Sequence, residues 1–126
     1  MSAKKFSIID RIKSFRYAFS GLRVLFKEEH NARVHLVVTF VVIMLGAFFG
    51  LSLTEWVVII LTIGFVFVTE ILNTAIEHIA DFISPQQDVR IKRIKDLGAA
   101  AVLLSAIIAV VVGVIIFLPK LWELFF

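Results

Sequence analysis

The sequence predicts an all-α membrane protein in which one amphipathic surface helix precedes three transmembrane helices. Hydrophobic residues make up 60% of the 126 residues, whereas soluble domains have about 45–50%. The apolar residues are concentrated in three segments, each long enough to cross a bilayer. The chain length suits a single domain over residues 1–126. Because the chain has no cysteine, disulfides and thiolate metal sites are excluded.

The surface helix is predicted at about residues 6–27. Large apolar residues recur there at helical spacing, and Lys13, Arg16 and Arg23 occupy other positions. A helix with one apolar and one basic face lies in the membrane interface. The apolar positions are Phe6, Ile8, Ile9, Ile12, Phe15, Phe19, Leu22, Leu25 and Phe26.

The three transmembrane helices can each supply the ~20 residues that span the hydrocarbon core. Gly46 and Gly50 interrupt the first of them, and the second continues from an apolar part into a polar part with the same helical pattern. Their predicted positions are about residues 34–53, 56–83 and 97–118.

Proline predicts the end of the second transmembrane helix. Pro85 disfavours helical conformation in the preceding residue, so the helix should end at Ser84. Residues 84–96 are then expected to form a short loop that leads into the third transmembrane helix.

The positive charges predict the orientation in the membrane. Every Lys and Arg except Lys120 lies within residues 4–33 or 90–95, so those two regions should face the cytoplasm. The connection at residues 50–55 has no positive charge and should lie outside with the C-terminus. Trp56 and Trp122 suit the aromatic belt of the membrane interface on that side.

The polar residues of the second transmembrane helix form one stripe. At about 100° per residue, Glu70, Asn73, Glu77 and Asp81 fall within roughly 80° of arc, with Thr74 beside them. A carboxylate in hydrocarbon costs about 2.5–3.5 kcal/mol even on insertion scales, so such acids normally face protein, water or a cation. The stripe could serve chemistry, or it could only join helices or protomers through hydrogen bonds.

Two more polar clusters are predicted at the same membrane face. In "KEEHNARVH", residues 27–35, Glu29 and Arg33 are spaced to share one helix face, while Glu28, Asn31 and His35 share another. Such juxtamembrane charges often serve only as interfacial anchors or ordinary helix pairs.

The third cluster is "RIKRIKD", residues 90–96, whose cations could anchor the chain at the membrane or hold phosphate. Asp96 beside Lys95 is not needed for anchoring. The carboxylates of the other clusters could hold Mg²⁺.

The stripe "EILNTAIEHIAD" followed by "KDLGAAAVLL" resembles the small integral-membrane diacylglycerol kinases of bacteria, a family that includes undecaprenol kinases. The similarity extends from the surface helix around Tyr17 to the third transmembrane helix. It implies an ATP- and Mg²⁺-dependent lipid kinase in the bacterial plasma membrane, acting as a homotrimer with composite active sites at the cytoplasmic face. No nucleic-acid partner is expected.

The resemblance also implies roles for individual residues. Glu70 matches the catalytic base, and Glu29 with Glu77 match the acids that hold the metal ions. Those two acids, Tyr17, Lys95 and Asp96 match the nucleotide-binding residues. The remaining active-site matches are Asn73, Asn31, Arg33 and Asp81.

The acceptor lipid is expected to be undecaprenol, with diacylglycerol as the alternative. The segment "EHNARVH" resembles the undecaprenol kinase branch, whereas the diacylglycerol-preferring branch tends to carry Gln-Glu where Val34 and His35 stand. Ala18 replaces a serine of that second branch.

Two other classes of protein remain open from the residues alone. A small transporter could use Glu70, Glu77 and Asp81 as a relay, although residues 56–68 offer few polar groups to continue it. An assembly or scaffold subunit would use the acids only to join helices. Neither common glycine-rich phosphate loop occurs, so a nucleotide site would have to be built differently.

Overall fold

The computed structural model contains four helices, and the part of the chain that it describes, residues 5–86 and 88–126, has no strand. Lys4 and Gln87, which belong to the predicted charge pattern and loop, lie outside the described residues. The helices are α1 (Ile8–Glu28), α2 (His30–Phe49), α3 (Leu53–Ile83) and α4 (Val89–Phe125). The all-α prediction is therefore confirmed.

Three of the helices are long and apolar enough to cross a membrane. They are α2, α3 and α4, with 20, 31 and 37 residues. At 1.5 Å per residue, α2 is about 30 Å long and matches the hydrocarbon thickness, while α3 and α4 are longer. The N-terminal helix, α1, is less apolar and carries an exposed row of large hydrophobic side chains.

The chain bends between α1 and α2 at Glu29, which has extended backbone angles (φ −102°, ψ 114°). The prediction that Glu29 and Arg33 share one helix face was therefore wrong, because α2 begins only at His30. Arg33 instead donates hydrogen bonds to the backbone carbonyls of Phe26 (2.7 Å) and Lys27. These bonds satisfy carbonyls at the C-terminal end of α1.

A tight turn joins α2 to α3. The first transmembrane helix ends at Phe49, four residues before its predicted end, because Gly50 adopts a left-handed conformation (φ 66°, ψ 59°) that favours glycine. A capping box then starts α3, in which the backbone of Glu55 donates to Ser52 Oγ and the backbone of Ser52 donates to the Glu55 carboxylate.

The turn between α3 and α4 is shorter than predicted. The expected end of α3 before Pro85 is confirmed, with Ser84 as the capping residue. Residues 89–96, however, form the first two turns of α4 and not a loop. The side chain of Asp88 accepts a hydrogen bond from the Arg90 backbone (2.8 Å) and so caps the helix at this earlier position.

The main packing contact is between α3 and α4, with α2 against α3. A small apolar core of Leu51, Ile59, Ile116 and Phe117 lies at the end of the bundle near the α2–α3 turn. An ion pair between Glu55 and Lys120 (3.1 Å) stands at the same end. The candidate site residues lie at the opposite end of the bundle.

Candidate active site

The up-and-down connectivity brings three polar segments to one end of the bundle. This polar end consists of residues 28–35, 70–81 and 89–96. It joins the α1–α2 junction, the C-terminal part of α3 and the N-terminal part of α4. The three clusters of the sequence therefore meet at one end of the molecule, as predicted.

Glu70 is the deepest acid of the stripe. It is 1% exposed, whereas Asp81 at the far end of the stripe is exposed. Along α3, Glu70 lies about 22 Å from Glu55 and about 16 Å from Asp81, at 1.5 Å per residue. If the Glu55–Lys120 ion pair marks one membrane boundary, these distances place Glu70 inside a hydrocarbon layer ~30 Å thick and Asp81 beyond it.

His35 of α2 faces Glu70 across the helix interface. Its Nε2 lies 3.2 Å from Glu70 Oε1, which is within ion-pair distance. Glu70 Oε1 is wholly buried, and this contact is not aligned as a hydrogen bond. A buried carboxylate oxygen without a hydrogen bond is costly, and such groups are concentrated at functional sites.

The two other acids proposed by resemblance lie near Glu70. Glu29 and Glu77 are both close enough to repel an ionised Glu70. Both are half-buried at the polar end. A cation near Glu70 would offset the repulsion that each of these two carboxylates exerts on it.

Asn73 links this set to α4. Its Nδ2 donates a hydrogen bond to Glu77 Oε1 (3.3 Å), while its Oδ1 is buried without a partner. Gly98 of α4 makes this position possible, because a Cβ at Gly98 would stand 2.2 Å from Asn73 Oδ1. The absence of a side chain at Gly98 therefore sets where the Asn73 amide lies.

The basic residues of α4 lie beside the exposed end of the stripe. Lys95 donates a hydrogen bond to Asp81, and Lys92 donates to Asp96 at 2.6 Å. Together with the α3–α4 turn, these four side chains line a cavity of about 410 Å³. A cavity that combines lysines and carboxylates and opens at the polar end suits a phosphorylated, water-soluble substrate.

Several sequence-predicted site residues are not brought to Glu70. Tyr17 is exposed on α1, and Asn31 is exposed in the first turn of α2. Arg33 is occupied by the backbone carbonyls of α1. Within the described residues, neither the Tyr17 nor the Asn31 side chain makes a hydrogen bond or ion pair.

The oxygen donors at the polar end fit part of a Mg²⁺ site. Residues 5–86 and 88–126 hold no group of three His, Cys, Asp or Glu side chains that could bind a metal ion. Mg²⁺, however, is commonly held by only one or two carboxylates, with water and substrate phosphates completing the octahedron. Glu29 and Glu77, together with the unpartnered buried oxygen of Asn73, fit such a partial set.

Two features of the site escaped the sequence analysis. His35 was noted only as part of a motif, and its contact with Glu70 depends on how α2 crosses α3. The ion pair between Glu28 and His78 (2.9 Å) connects α1 to α3 and likewise follows from packing. The spacing of residues within one helix gives no signal for either contact.

Comparison with known proteins decides the family. The prokaryotic diacylglycerol kinase family matches residues 16–117, which is most of the chain. This chain belongs to that family. It is therefore a lipid kinase and an integral membrane protein, and the transporter and scaffold alternatives are set aside.

The relatives of this chain are named for two different lipid substrates. The chain is 40% identical over 109 residues to the undecaprenol kinase of Bacillus subtilis (strain 168), covering 86% of this chain and 89% of the relative. It is 38% identical over 112 residues to a diacylglycerol kinase of Synechocystis sp., covering 88% of this chain and 64% of that protein. It is 32% identical over 114 residues to the diacylglycerol kinase of Escherichia coli (strain K12), covering 90% of each chain.

Proposed function

We propose that the whole chain, residues 1–126, is a single kinase domain that transfers the γ-phosphoryl group of ATP to the hydroxyl of undecaprenol. The observation that carries this proposal is the depth of the carboxylate stripe. Glu70 is buried between the helices about 16 Å along α3 from Asp81, which is exposed at the polar end. A lipid hydroxyl in the membrane and a nucleotide from water can therefore meet along one helix face.

Glu70 is the proposed catalytic base. It would take the proton of the acceptor hydroxyl as the hydroxyl oxygen attacks the γ-phosphorus and the bond to the β-phosphate oxygen breaks, releasing ADP. Its burial keeps water, which would compete as acceptor, away from the reacting hydroxyl. Asn73, one turn further along α3, lies between Glu70 and the nucleotide end of the stripe.

Glu29 and Glu77 are the proposed metal-holding residues, and the metal is Mg²⁺. When bound there, Mg²⁺ would neutralise charge on the ATP phosphates. Lys95 would hold the phosphates and Asp96 the adenosine end. When the nucleotide enters, Lys95 would have to leave Asp81 of α3, and Asp96 would have to leave Lys92.

The proposed active site is completed by four further residues, Tyr17, Asn31, Arg33 and Asp81. Tyr17 and Asn31 are exposed and free to contact ATP or a neighbouring protomer. We propose that the active protein is a homotrimer with sites shared between chains, and that the polar end faces the cytoplasm, where ATP is available. The concentration of Lys and Arg near the polar end supports this orientation.

The preference for undecaprenol is supported by the relative from Bacillus subtilis and by Val34, His35 and Ala18, which depart from the diacylglycerol-preferring pattern. Diacylglycerol is the second candidate, supported by the relatives from Synechocystis and Escherichia coli. Both acceptors present a hydroxyl at the membrane interface, so the chemistry of the site is the same.

The test is transfer of radioactive γ-phosphate from Mg-ATP in mixed micelles, with undecaprenol and diacylglycerol assayed in parallel at matched concentrations. Purified Glu70→Gln protein gives the background. The proposal expects a higher kcat/KM for undecaprenol. A higher kcat/KM for diacylglycerol would replace the proposed acceptor, and transfer to neither lipid by well-folded protein would overturn the proposal.

A further inference from the structure

The contact between His35 and Glu70 joins a buried acid to an imidazole on another helix. The atoms His35 Nε2 and Glu70 Oε1 are 3.2 Å apart, and the side chain of His35 is 23% exposed against 2% for Glu70. Among residues 5–86 and 88–126, His35 is the one basic side chain within ion-pair distance of Glu70. The other charged neighbours of Glu70 are the acids Glu29 and Glu77, which repel its ionised form.

The ring of His35 is held in place by its surroundings. It packs edge to face on Phe67 of α3, with ring centroids 6.5 Å apart and an interplanar angle of 79°. Phe67 in turn meets Phe26 of α1 at 5.9 Å. The imidazole is therefore held by Phe67 of α3, which is itself packed against α1, and it needs no large movement to reach Glu70.

His35 also stands where the acid meets an apolar groove. This groove, with a volume of about 350 Å³, runs between α2, α3 and α4 from His35 towards Phe117. Val38, Val42, Ile63 and Val110 are among the side chains that line it. His35 is thus the polar group at the boundary between the groove and the buried acid.

We propose that His35 is a positioning residue for Glu70, an assignment that rests on the proposed role of Glu70 as base. After a small rotation from the observed 3.2 Å contact, a neutral imidazole with its proton on Nε2 donates to one carboxylate oxygen. The other oxygen then remains free to accept the proton of the lipid hydroxyl. His35 fixes which oxygen reacts and offsets part of the repulsion from Glu29 and Glu77, and it takes up no proton in the reaction.

Two variants separate positioning from packing. His35→Leu fills space but has no donor, whereas His35→Gln can present an amide N–H to Glu70. We expect His35→Leu to lower kcat by about 10- to 100-fold, a part of the ~10²–10⁴-fold that a placed general base supplies. The KM for ATP should stay within about twofold, because His35 is not among the proposed nucleotide-binding residues, and His35→Gln should recover most of kcat.

Comparison with Glu70→Gln distinguishes this proposal from the proposed function. Glu70→Gln should be inactive whichever residue stands at position 35, whereas His35→Leu should retain measurable turnover, because the base itself is still present. Unchanged kcat in His35→Leu, or equal losses in the Leu and Gln variants with a raised KM for ATP, would overturn the positioning role. Wild-type turnover in Glu70→Gln alone would instead remove the base assignment. Thermal unfolding in detergent identifies any variant that fails to fold. If His35→Leu does not fold, the test rests on the kcat and the KM for ATP of His35→Gln.

Discussion

Asn73 and Gly98 are matched to one another across the α3–α4 interface. A Cβ at position 98 would stand 2.2 Å from Asn73 Oδ1 and 3.3 Å from its Cγ. The amide would have to move, and its hydrogen bond to Glu77 would be lost. A single glycine of α4 thereby controls the geometry of two proposed active-site residues.

We predict that Gly98→Ala lowers the rate of phosphate transfer strongly, on the order of 10²-fold, as expected for an ångström-scale displacement of an active-site group. Gly64→Ala is the matched control, because a Cβ at Gly64 meets nothing within 4 Å. Transfer assays on both proteins check this. Equal activity of the two variants would show that the position of the Asn73 amide does not affect the rate of phosphate transfer.

The metal-holding role of Glu29 and Glu77 predicts a change in the Mg²⁺ requirement. Each of Glu77→Gln and Glu29→Gln should move the half-saturating Mg²⁺ concentration upwards by at least about tenfold, equivalent to roughly 1.4 kcal/mol of binding free energy. A titration of activity against Mg²⁺ at fixed ATP measures this. Unchanged titrations in both variants would remove the metal assignment.

The residues of the stripe could be predicted from the sequence because they lie on one helix, where spacing fixes direction. Glu70, Asn73, Glu77 and Asp81 needed only the 100° rotation per residue. The contacts of Glu70 with His35 and of Asn73 with Gly98 could not be predicted in this way. They depend on the distance and rotation between helices, which no single-helix pattern contains.

The ends of the helices show the same difference between local and non-local signals. Pro85 stopped α3 where predicted, and the local chemistry of proline is sufficient for that. The break at Glu29 was missed because the residues around it are compatible with a continuous helix. The early start of α4 was missed because the basic segment was interpreted as a loop, although Lys and Arg are good helix formers and Asp88 is a good N-cap.

The start of α4 gives a prediction with a pH dependence. Hydrogen bonds from the Arg90 side chain and backbone lower the pKa of Asp88 below its ordinary value. A lowered folded-state pKa means that the ionised cap contributes fully above the ordinary pKa and is lost as the pH falls through the lowered one. Protection of the Arg90 amide should therefore be constant near neutral pH and decline only in acid.

Hydrogen exchange at the Arg90 amide, corrected for intrinsic rates, tests the cap. Asp88→Ala should reduce protection at neutral pH, and the KM for ATP should rise because Lys92 and Lys95 lie on the frayed turns. Equal protection in the variant and the wild type would contradict the assignment of Asp88 as the cap.

The molecule as a whole exposes far more surface than a compact soluble protein. Its accessible surface is 10,154 Å², whereas a soluble monomer of this size has about 6,800 Å². Much of the excess is apolar side chain on α2, α3 and α4. Lipid or neighbouring protomers must cover it, which agrees with an integral membrane protein and with the proposed trimer.

Shared active sites in a trimer make a quantitative prediction. If Glu70 and Lys95 act in one site from different chains, a 1:1 mixture of Glu70→Gln and Lys95→Met protomers should recover about a quarter of wild-type activity, given random assembly of a closed symmetric trimer. Each variant alone should be inactive. Co-reconstitution from denaturant measures the recovery, and no recovery would mean that both residues act within one chain.

The most direct test of the account is the activity of Glu70→Gln compared with Glu55→Gln. Both substitutions neutralise an acid of α3, but Glu55 lies at the opposite end of the bundle in an ion pair with Lys120. We predict that Glu70→Gln abolishes phosphate transfer to lipid while still binding ATP, and that Glu55→Gln retains activity. Transfer by Glu70→Gln at the wild-type rate would contradict the claim that the buried carboxylate activates the lipid hydroxyl.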